Sequence, residues 1–284
     1  MVCNGIIQSF IVNVNPALFG YERECFMTVK HFYKKTTTIS EDDIVKQLNL
    51  LGDVRVYAEL LQGSAIFAIS LRPEAEDKIA LVGDLLKQSA LDVEYAFMNY
   101  RQISMKIHSS DFKIIKALLS NPRMQVEEIA KYTSLSTKTV TRRLEKLREN
   151  HIVEFGVIRD MSSMQLTGYI EFAVMIHLED DSLYEYVLER IYQEMQEYFF
   201  AIPHANQKEG IFLVFFCPNI PTVDMILGRL ESYEGVNGTE TFITTKLVYY
   251  QDWVKREIDK RLKSEEVEQW QQQHQQQEQQ LATQ

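Results

Sequence analysis

The sequence predicts an α+β fold in which two β-α-β-β-α-β segments flank a short helical segment. Strand-length stretches of alternating apolar residues are separated by stretches with apolar residues at helical spacing, and the same order occurs twice in the 284 residues. A Gly-Tyr pair opens both copies, at Gly20-Tyr21 and at Gly168-Tyr169. Between the copies, three short helical stretches follow one another, and the third is basic.

The first copy is predicted over residues 5–107. Its opening strand alternates apolar and polar residues through Phe10, Val12 and Val14, and Ser40 is placed to cap the first helix. From the second strand onward, the order of elements is that of a ferredoxin-like fold, with both helices on one face of the sheet. The predicted strands cover residues 5–15, 25–32, 54–60, 65–71 and 93–107, and the predicted helices cover residues 40–51 and 73–88.

Residues 108–160 are predicted to form a winged helix-turn-helix. The first helix follows Ser109, Ser110 and Asp111, any of which can cap it, and Asn121-Pro122 ends it. Two further short helices joined by a tight turn, the second of them basic, are typical of a DNA-reading module. The second helix, the turn, the third helix and the wing strand are predicted over residues 126–132, 133–136, 137–150 and 155–158.

The third helix divides into two faces. At about 100° per residue, Val140, Leu144 and Leu147 share a packing stripe, while Lys138 and Arg142 point away from it. Arg can hold a guanine edge with two hydrogen bonds, and a helix N-terminus suits a phosphate. The residues predicted to contact DNA are Ser136, Thr137, Lys138, Thr141, Arg142, Arg143 and Lys146.

Positive charge is concentrated in this segment. Residues 109–155 hold nine Lys and Arg against six Asp and Glu, in a chain with a formal net charge of −10. A local basic surface in an acidic chain favours double-stranded DNA as the partner. The alternative is a helical packing module with a solvated charged face.

The same segment resembles the Lrp/AsnC (feast-or-famine) transcription regulators. His151 departs from the pattern, because the family usually has Gly there and a left-handed turn costs more with His. The residues that carry the resemblance are Asp111, Ile114, Leu118, Asn121, Arg123, Glu128, Ile129, Ala130, Leu135, Ser136, Val140, Arg143, Leu144, Leu147 and Ile152.

The second copy is predicted over residues 161–252, with Thr222 as the cap of its last helix. It resembles, as does the first, the RAM domain that assembles Lrp/AsnC proteins, and the resemblance implies a pair of units whose first copy has no helix-turn-helix before it. Residues 253–284 are predicted as a helix, with Val254, Ile258 and Leu262 at i, i+4 spacing, and a Gln-rich tail. The tail is interpreted as solvated; a coiled-coil contact through Val267 and Trp270 is the alternative.

No motif for catalysis, a cofactor or a metal is found. The sequence lacks HExxH, a Walker-type glycine loop, GxGxxG and GxSxG, and its six histidines are scattered. Cys3, Cys25 and Cys217 form no CxxC pair, which favours a reducing cytoplasm. No apolar run reaches the ~20 residues of a membrane span. We therefore predict a cytoplasmic protein that is not an enzyme.

An effector site is left open by the sequence. RAM domains commonly carry a Gly-x-x-Asp type turn near their ligand interface. The corresponding turns here, residues 60–65 and 204–210, have no acidic residue after the glycine. No ligand residues are therefore assigned.

The leading hypothesis is a transcription regulator that reads DNA as a homodimer or a higher even oligomer. A siroheme-decarboxylase-like enzyme on the same fold is the first alternative, but the second copy offers His204 at a turn with no Arg beside it. A regulator that acts through protein contacts of acidic RAM-like surfaces is the second alternative.

Overall fold

The computed structural model describes residues 6–30, 40–61, 63–88, 92–201, 205–206 and 210–264. The strands are β1 Ile7–Val14, β2 Arg23–Lys30, β3 Gly52–Leu60, β4 Ala65–Leu71, β5 Asp92–Tyr100, β6 Val153–Arg159, β7 Ile170–Leu178, β8 Phe199–Ala201, β9 Ala205–Asn206, β10 Ile211–Cys217 and β11 Val236–Tyr249. The helices are α1 Glu41–Leu48, α2 Glu76–Gln88, α3 Ser109–Ser120, α4 Val126–Thr133, α5 Thr137–Glu149, α6 Met161–Leu166, α7 Tyr184–Met195, α8 Ile220–Glu231 and a C-terminal helix, α9, over residues 252–264. This mixture of helix and sheet confirms the predicted α+β class.

Two compact units divide the chain. Among the described residues, the first contains residues 6–9, 15–102 and 157–250, which include both β-α-β-β-α-β segments. The second contains residues 10–14, 103–156 and 251–264, which include α3, α4, α5 and α9. The helix-turn-helix therefore belongs to a different unit from the two segments.

One antiparallel sheet runs through the first unit in the order β8-β10-β7-β11-β3-β4-β2-β5-β9. The two segments join where β11 pairs with β3, with Tyr249 opposite Val56. They also join where β9 pairs with β5, with Ala205 opposite Tyr100. The last strand of each segment thus pairs with the middle part of the other, and the two segments associate within a single chain.

Each segment packs its helices on one sheet face. Side chains alternate between the two faces of a strand, so Cys25, Met27 and Val29 of β2 point toward α1 and α2 and form a core with them. In the second segment, Phe172 and Val174 of β7 form a core with α7 and α8. The other face is also apolar, as the sequence predicts from its number of large residues. A smaller cluster there joins Met98, Ala173 and Phe212 with Phe26, Met175, Val214 and Phe242.

The rings of Phe26 and Phe212 lie 5.4 Å apart, which joins the first segment to the second across this face. Offset or tilted ring pairs at such a distance add about 0.5–1.5 kcal/mol beyond area burial. The association is therefore held by side-chain packing as well as by strand pairing.

Two expectations about local structure are wrong. The strand predicted over residues 93–107 ends at Tyr100. Its antiparallel partner β2 begins at Arg23, which lies opposite Asn99, so the register of the two strands ends there. Thr222 does not cap α8; the Asn219 side chain does, by accepting a hydrogen bond from the Thr222 N–H at 2.9 Å.

Candidate nucleic-acid interface

The helix-turn-helix forms around a small buried core. Ile114, Ile115, Ile129, Val140 and Leu147 are each no more than 1% exposed, so α3, α4 and α5 share one interior. Leu144, predicted on the same stripe, is only partly buried. Packing of this stripe turns the polar residues of α5 outward.

The cap of α3 differs from the three predicted candidates. His108 is the N-cap, and Asp111 is the third residue of the helix. The Asp111 Oδ2 accepts a hydrogen bond from the His108 backbone N–H at 2.9 Å, so a carboxylate within the first turn caps the N-terminus of α3. The residues predicted as caps therefore lie within the first turn.

The turn between α4 and α5 has the geometry that a tight reversal needs. Ser134 ends α4 with a left-handed backbone, φ 57°. Ser136 caps α5 as predicted, since its side-chain oxygen accepts a hydrogen bond from the Thr139 N–H at 3.1 Å. The N–H groups of the first α5 residues have no partner within the helix, which leaves donors for an anion.

Most predicted contact residues lie in solvent. Ser136, Thr137, Lys138, Thr141, Arg142 and Lys146 are exposed. Together they form a polar, cationic face along the first two and a half turns of α5. Their role in DNA binding stays a prediction.

Arg143 is placed differently from the other six. Its side chain is 17% exposed, and its Nη1 lies 3.4 Å from Oδ2 of Asp111, which is fully buried. The second oxygen of Asp111, Oδ1, accepts no hydrogen bond from any residue in the described ranges. A buried carboxylate needs a compensating partner, so Arg143 ties α5 to the start of α3.

The wing is built from two distant parts of the sequence. Strand β6 includes the predicted wing residues 155–158 and pairs with β1 in a two-stranded sheet. A Cβ on Gly156 would lie 3.4 Å from Cγ1 of Ile11, so the strands approach closely there. The Arg123 guanidinium lies 4.8 Å from the Phe10 ring centroid, a cation–π contact between β1 and the loop after α3.

Sequence reasoning missed this pairing, although a signal was present. Gly5-Ile6-Ile7 of the first copy matches Gly156-Val157-Ile158 of the second. Both stretches are of wing type, and strands of the same type at corresponding positions are candidates for pairing. The first copy therefore contributes its strand to the wing of the second copy's helix-turn-helix.

The left-handed turn expected at His151 is present. His151 has φ 52°, and its Nδ1 lies 3.3 Å from Oε1 of Glu154. The residue is exposed, so this contact is screened by solvent. A residue with a Cβ therefore occupies a backbone conformation that favours glycine.

The C-terminal helix α9 belongs to the same unit. Trp253, Val254 and Ile258 are buried, as the predicted spacing of Val254 and Ile258 requires. Lys116 of α3 places its Nζ 2.7 Å from Oδ1 of Asp259. The chain's final described element is therefore part of the helix-turn-helix unit. The tail interpretation for Val267 and Trp270 falls outside the described residues.

Other classes of site find little support. Within the described ranges, no three or more His, Cys, Asp or Glu side chains lie close enough together to hold a metal ion. In the same ranges, no helix is long and apolar enough to cross a membrane. His204, named for the enzyme alternative, lies outside the described residues.

Comparisons with known proteins agree with the geometry. A family described as winged helix-turn-helix DNA-binding matches residues 107–154. The regulatory protein AsnC of Escherichia coli K12 is 26% identical over 140 residues, which are 48% of this chain and 89% of AsnC. The HTH-type transcriptional regulator LrpB of Bacillus subtilis is 29% identical over 82 residues, which are 28% of this chain and 55% of LrpB. Among solved structures, the siroheme decarboxylase NirDL aligns over 91% of this chain and 85% of its own, with 12% identity and a TM-score of 0.48.

The three packed helices and the matched domain define a winged helix-turn-helix protein of the DNA-binding class. The predicted winged helix-turn-helix is therefore confirmed. Similarity to AsnC and LrpB, over 48% and 28% of this chain, supports the resemblance to Lrp/AsnC regulators seen in residues 111–152.

Proposed function

We propose that this protein is a sequence-specific transcription regulator that reads double-stranded DNA with α5. The observation that carries the proposal is the exposed face of α5, where Lys138, Thr141 and Arg142 project from a helix whose N-terminus is capped by Ser136. A helix of this kind enters the major groove with its N-terminal residues on base edges.

The seven residues divide into three proposed roles. Arg142 and Lys138 read base edges, with Thr141 beside them. Ser136, Thr137 and the free N–H groups at the start of α5 hold a backbone phosphate, and Lys146 neutralises a second one. Arg143 holds α5 at its angle to α3 through Asp111, because its guanidinium already contacts that buried carboxylate.

The two β-α-β-β-α-β segments are proposed to be RAM-type domains, over residues 5–107 and 161–252, with the helix-turn-helix over 108–160 and the C-terminal helix and tail over 253–284. They pair with each other within one chain, and the described residues contain one helix-turn-helix, in the matched range 107–154. Two-fold symmetric readers gain affinity from two half-sites about one helical turn apart. A homodimer or a higher even oligomer therefore supplies the second reading helix.

In vitro selection with the full chain tests this function. Random duplex DNA is selected on the purified protein, and the recovered sequence is then used to compare wild type with Lys138→Ala/Arg142→Ala. We expect the Arg142 change alone to cost about 1–3 kcal/mol of binding free energy, because a two-pronged guanine contact is lost.

The matched control is Lys46→Ala/Arg72→Ala, which removes two exposed cations from the other unit. It should bind the selected DNA as wild type does. If Lys138→Ala/Arg142→Ala binds the selected DNA as tightly as wild type does, with the fold intact by circular dichroism, then α5 is not the helix that reads DNA. Recovery of no preferred sequence at all would contradict sequence-specific reading.

A further inference from the structure

The C-terminal helix α9 carries two chemically distinct faces. Val254 and Ile258, at 3% and 0% exposure, form its buried side. Arg256, Lys260 and Lys263 are exposed and recur at i, i+4 and i+7. At about 100° per residue these three cations fall within a stripe about 60° wide, opposite the buried side.

This stripe is fixed relative to the reading helix. Trp253 is 4% exposed, and Asp259 binds Lys116 of α3, the helix on which α5 also packs. Lys260 contacts Glu257 one turn earlier on α9 itself, while its side chain stays 68% exposed. The three cations are therefore held on a folded surface of the helix-turn-helix unit.

The charge of this unit favours an anionic partner. Its described residues, 10–14, 103–156 and 251–264, hold fifteen Lys and Arg against nine Asp and Glu, and residues 265–284 add four Glu. The unit therefore carries a formal net charge of +2, in a complete chain with a net charge of −10. A strongly anionic partner fits this distribution, and a DNA duplex carries one negative charge per about 1.7 Å of its axis.

We propose that α9 is a second DNA-contacting element, in which Arg256, Lys260 and Lys263 bind backbone phosphates flanking the sequence that α5 reads. This inference rests on the proposed function. The helix is about 20 Å long at 1.5 Å per residue, which is enough to follow several phosphates. Contacts to phosphates carry no sequence information, so these three cations increase affinity for DNA, while α5 determines the sequence preference.

Salt dependence of binding separates phosphate contacts from other effects. Each phosphate neutralised contributes about 0.9 to the slope of log K against log salt concentration on B-DNA. In Arg256→Gln/Lys260→Gln/Lys263→Gln we expect the slope to become shallower by about 2.7, three times that amount, with the selected sequence unchanged. The conservative variant Arg256→Lys/Lys260→Arg/Lys263→Arg should keep the wild-type slope.

The matched control is Lys46→Gln/Arg72→Gln/Lys78→Gln, which removes the same charge from exposed positions of the other unit. Its slope should equal that of wild type. A slope that is unchanged in the α9 variant, while wild type binds the selected DNA, overturns this inference and leaves the proposed function standing. A slope that falls equally in the control shows a general charge effect and overturns it too. Absence of DNA binding by wild type overturns both proposals.

Discussion

At the scale of single residues, His151 occupies a backbone conformation that is costly for a residue with a Cβ. Its φ of 52° is one that glycine adopts without a steric penalty. His151→Gly should raise the free energy of unfolding by about 1 kcal/mol, because the strain of roughly 1–2 kcal/mol outweighs both the added chain entropy and an exposed contact to Glu154.

Urea unfolding followed by circular dichroism measures this change. Asn150→Gly is the control, since Asn150 has φ −92° and glycine there relieves no strain. Asn150→Gly should lower the free energy of unfolding. If His151→Gly lowers it as well, the Glu154 contact outweighs the strain.

The buried thiols give a second prediction at this scale. Burial raises the pKa of the Cys25 thiol to about 12, with the neighbouring Glu24 carboxylate adding to the effect, and burial also raises the pKa of Cys217. Only the thiolate reacts with alkylating reagents. In a Cys3→Ser background, Cys25 of the folded protein should react far more slowly than in urea at the same pH, because the thiol is buried and its pKa is raised.

Mass spectrometry of iodoacetamide-treated samples provides the readout, site by site. Cys25 in the urea-unfolded chain is the internal reference, because its pKa returns to an ordinary value near 8.5. Labelling of folded Cys25 at the rate of the unfolded reference would contradict this prediction.

At the scale of elements, the sequence predicts what depends on local pattern. The periodicity of Val140 and Leu147, and the cap at Ser136, are local features, and the structure contains both. The strand end at Tyr100 is not local. Apolar residues alternate again at Ile103, Met105 and Ile107, yet a strand needs a hydrogen-bonding neighbour, and the register of β5 with β2 ends at Asn99 opposite Arg23.

The pairing of the two wing strands also depends on residues that are distant in the sequence. Strand β1 precedes β6 by well over one hundred residues, and its partner is set by the fold of the whole chain. The candidate site on α5 was predictable because a helix turns its faces by a fixed angle per residue. The restraint of Arg143 by Asp111 was not, because it depends on how α3 crosses α5.

At the scale of the whole molecule, the sequence left open how the two segments pair. Their inner faces are apolar in either case, so the same residues can serve an association within a chain or between two chains. In the structure β11 pairs with β3 and Phe26 packs on Phe212 within one chain. The apolar inner faces are thus covered without a second copy.

The proposed even oligomer would therefore use another surface, and the reason to expect it is the gain in affinity from reading two half-sites. One α5 per chain reads one half-site, and a single module with few base contacts binds more weakly than two modules held at a fixed spacing. We expect light scattering to give a mass at least twice the 33.2 kDa of one chain, free or bound to the selected DNA. Lys138→Ala/Arg142→Ala is the control, because it should keep the free mass while losing the complex. A mass of one chain at micromolar concentration, both alone and on DNA, would show that the single helix-turn-helix acts by itself.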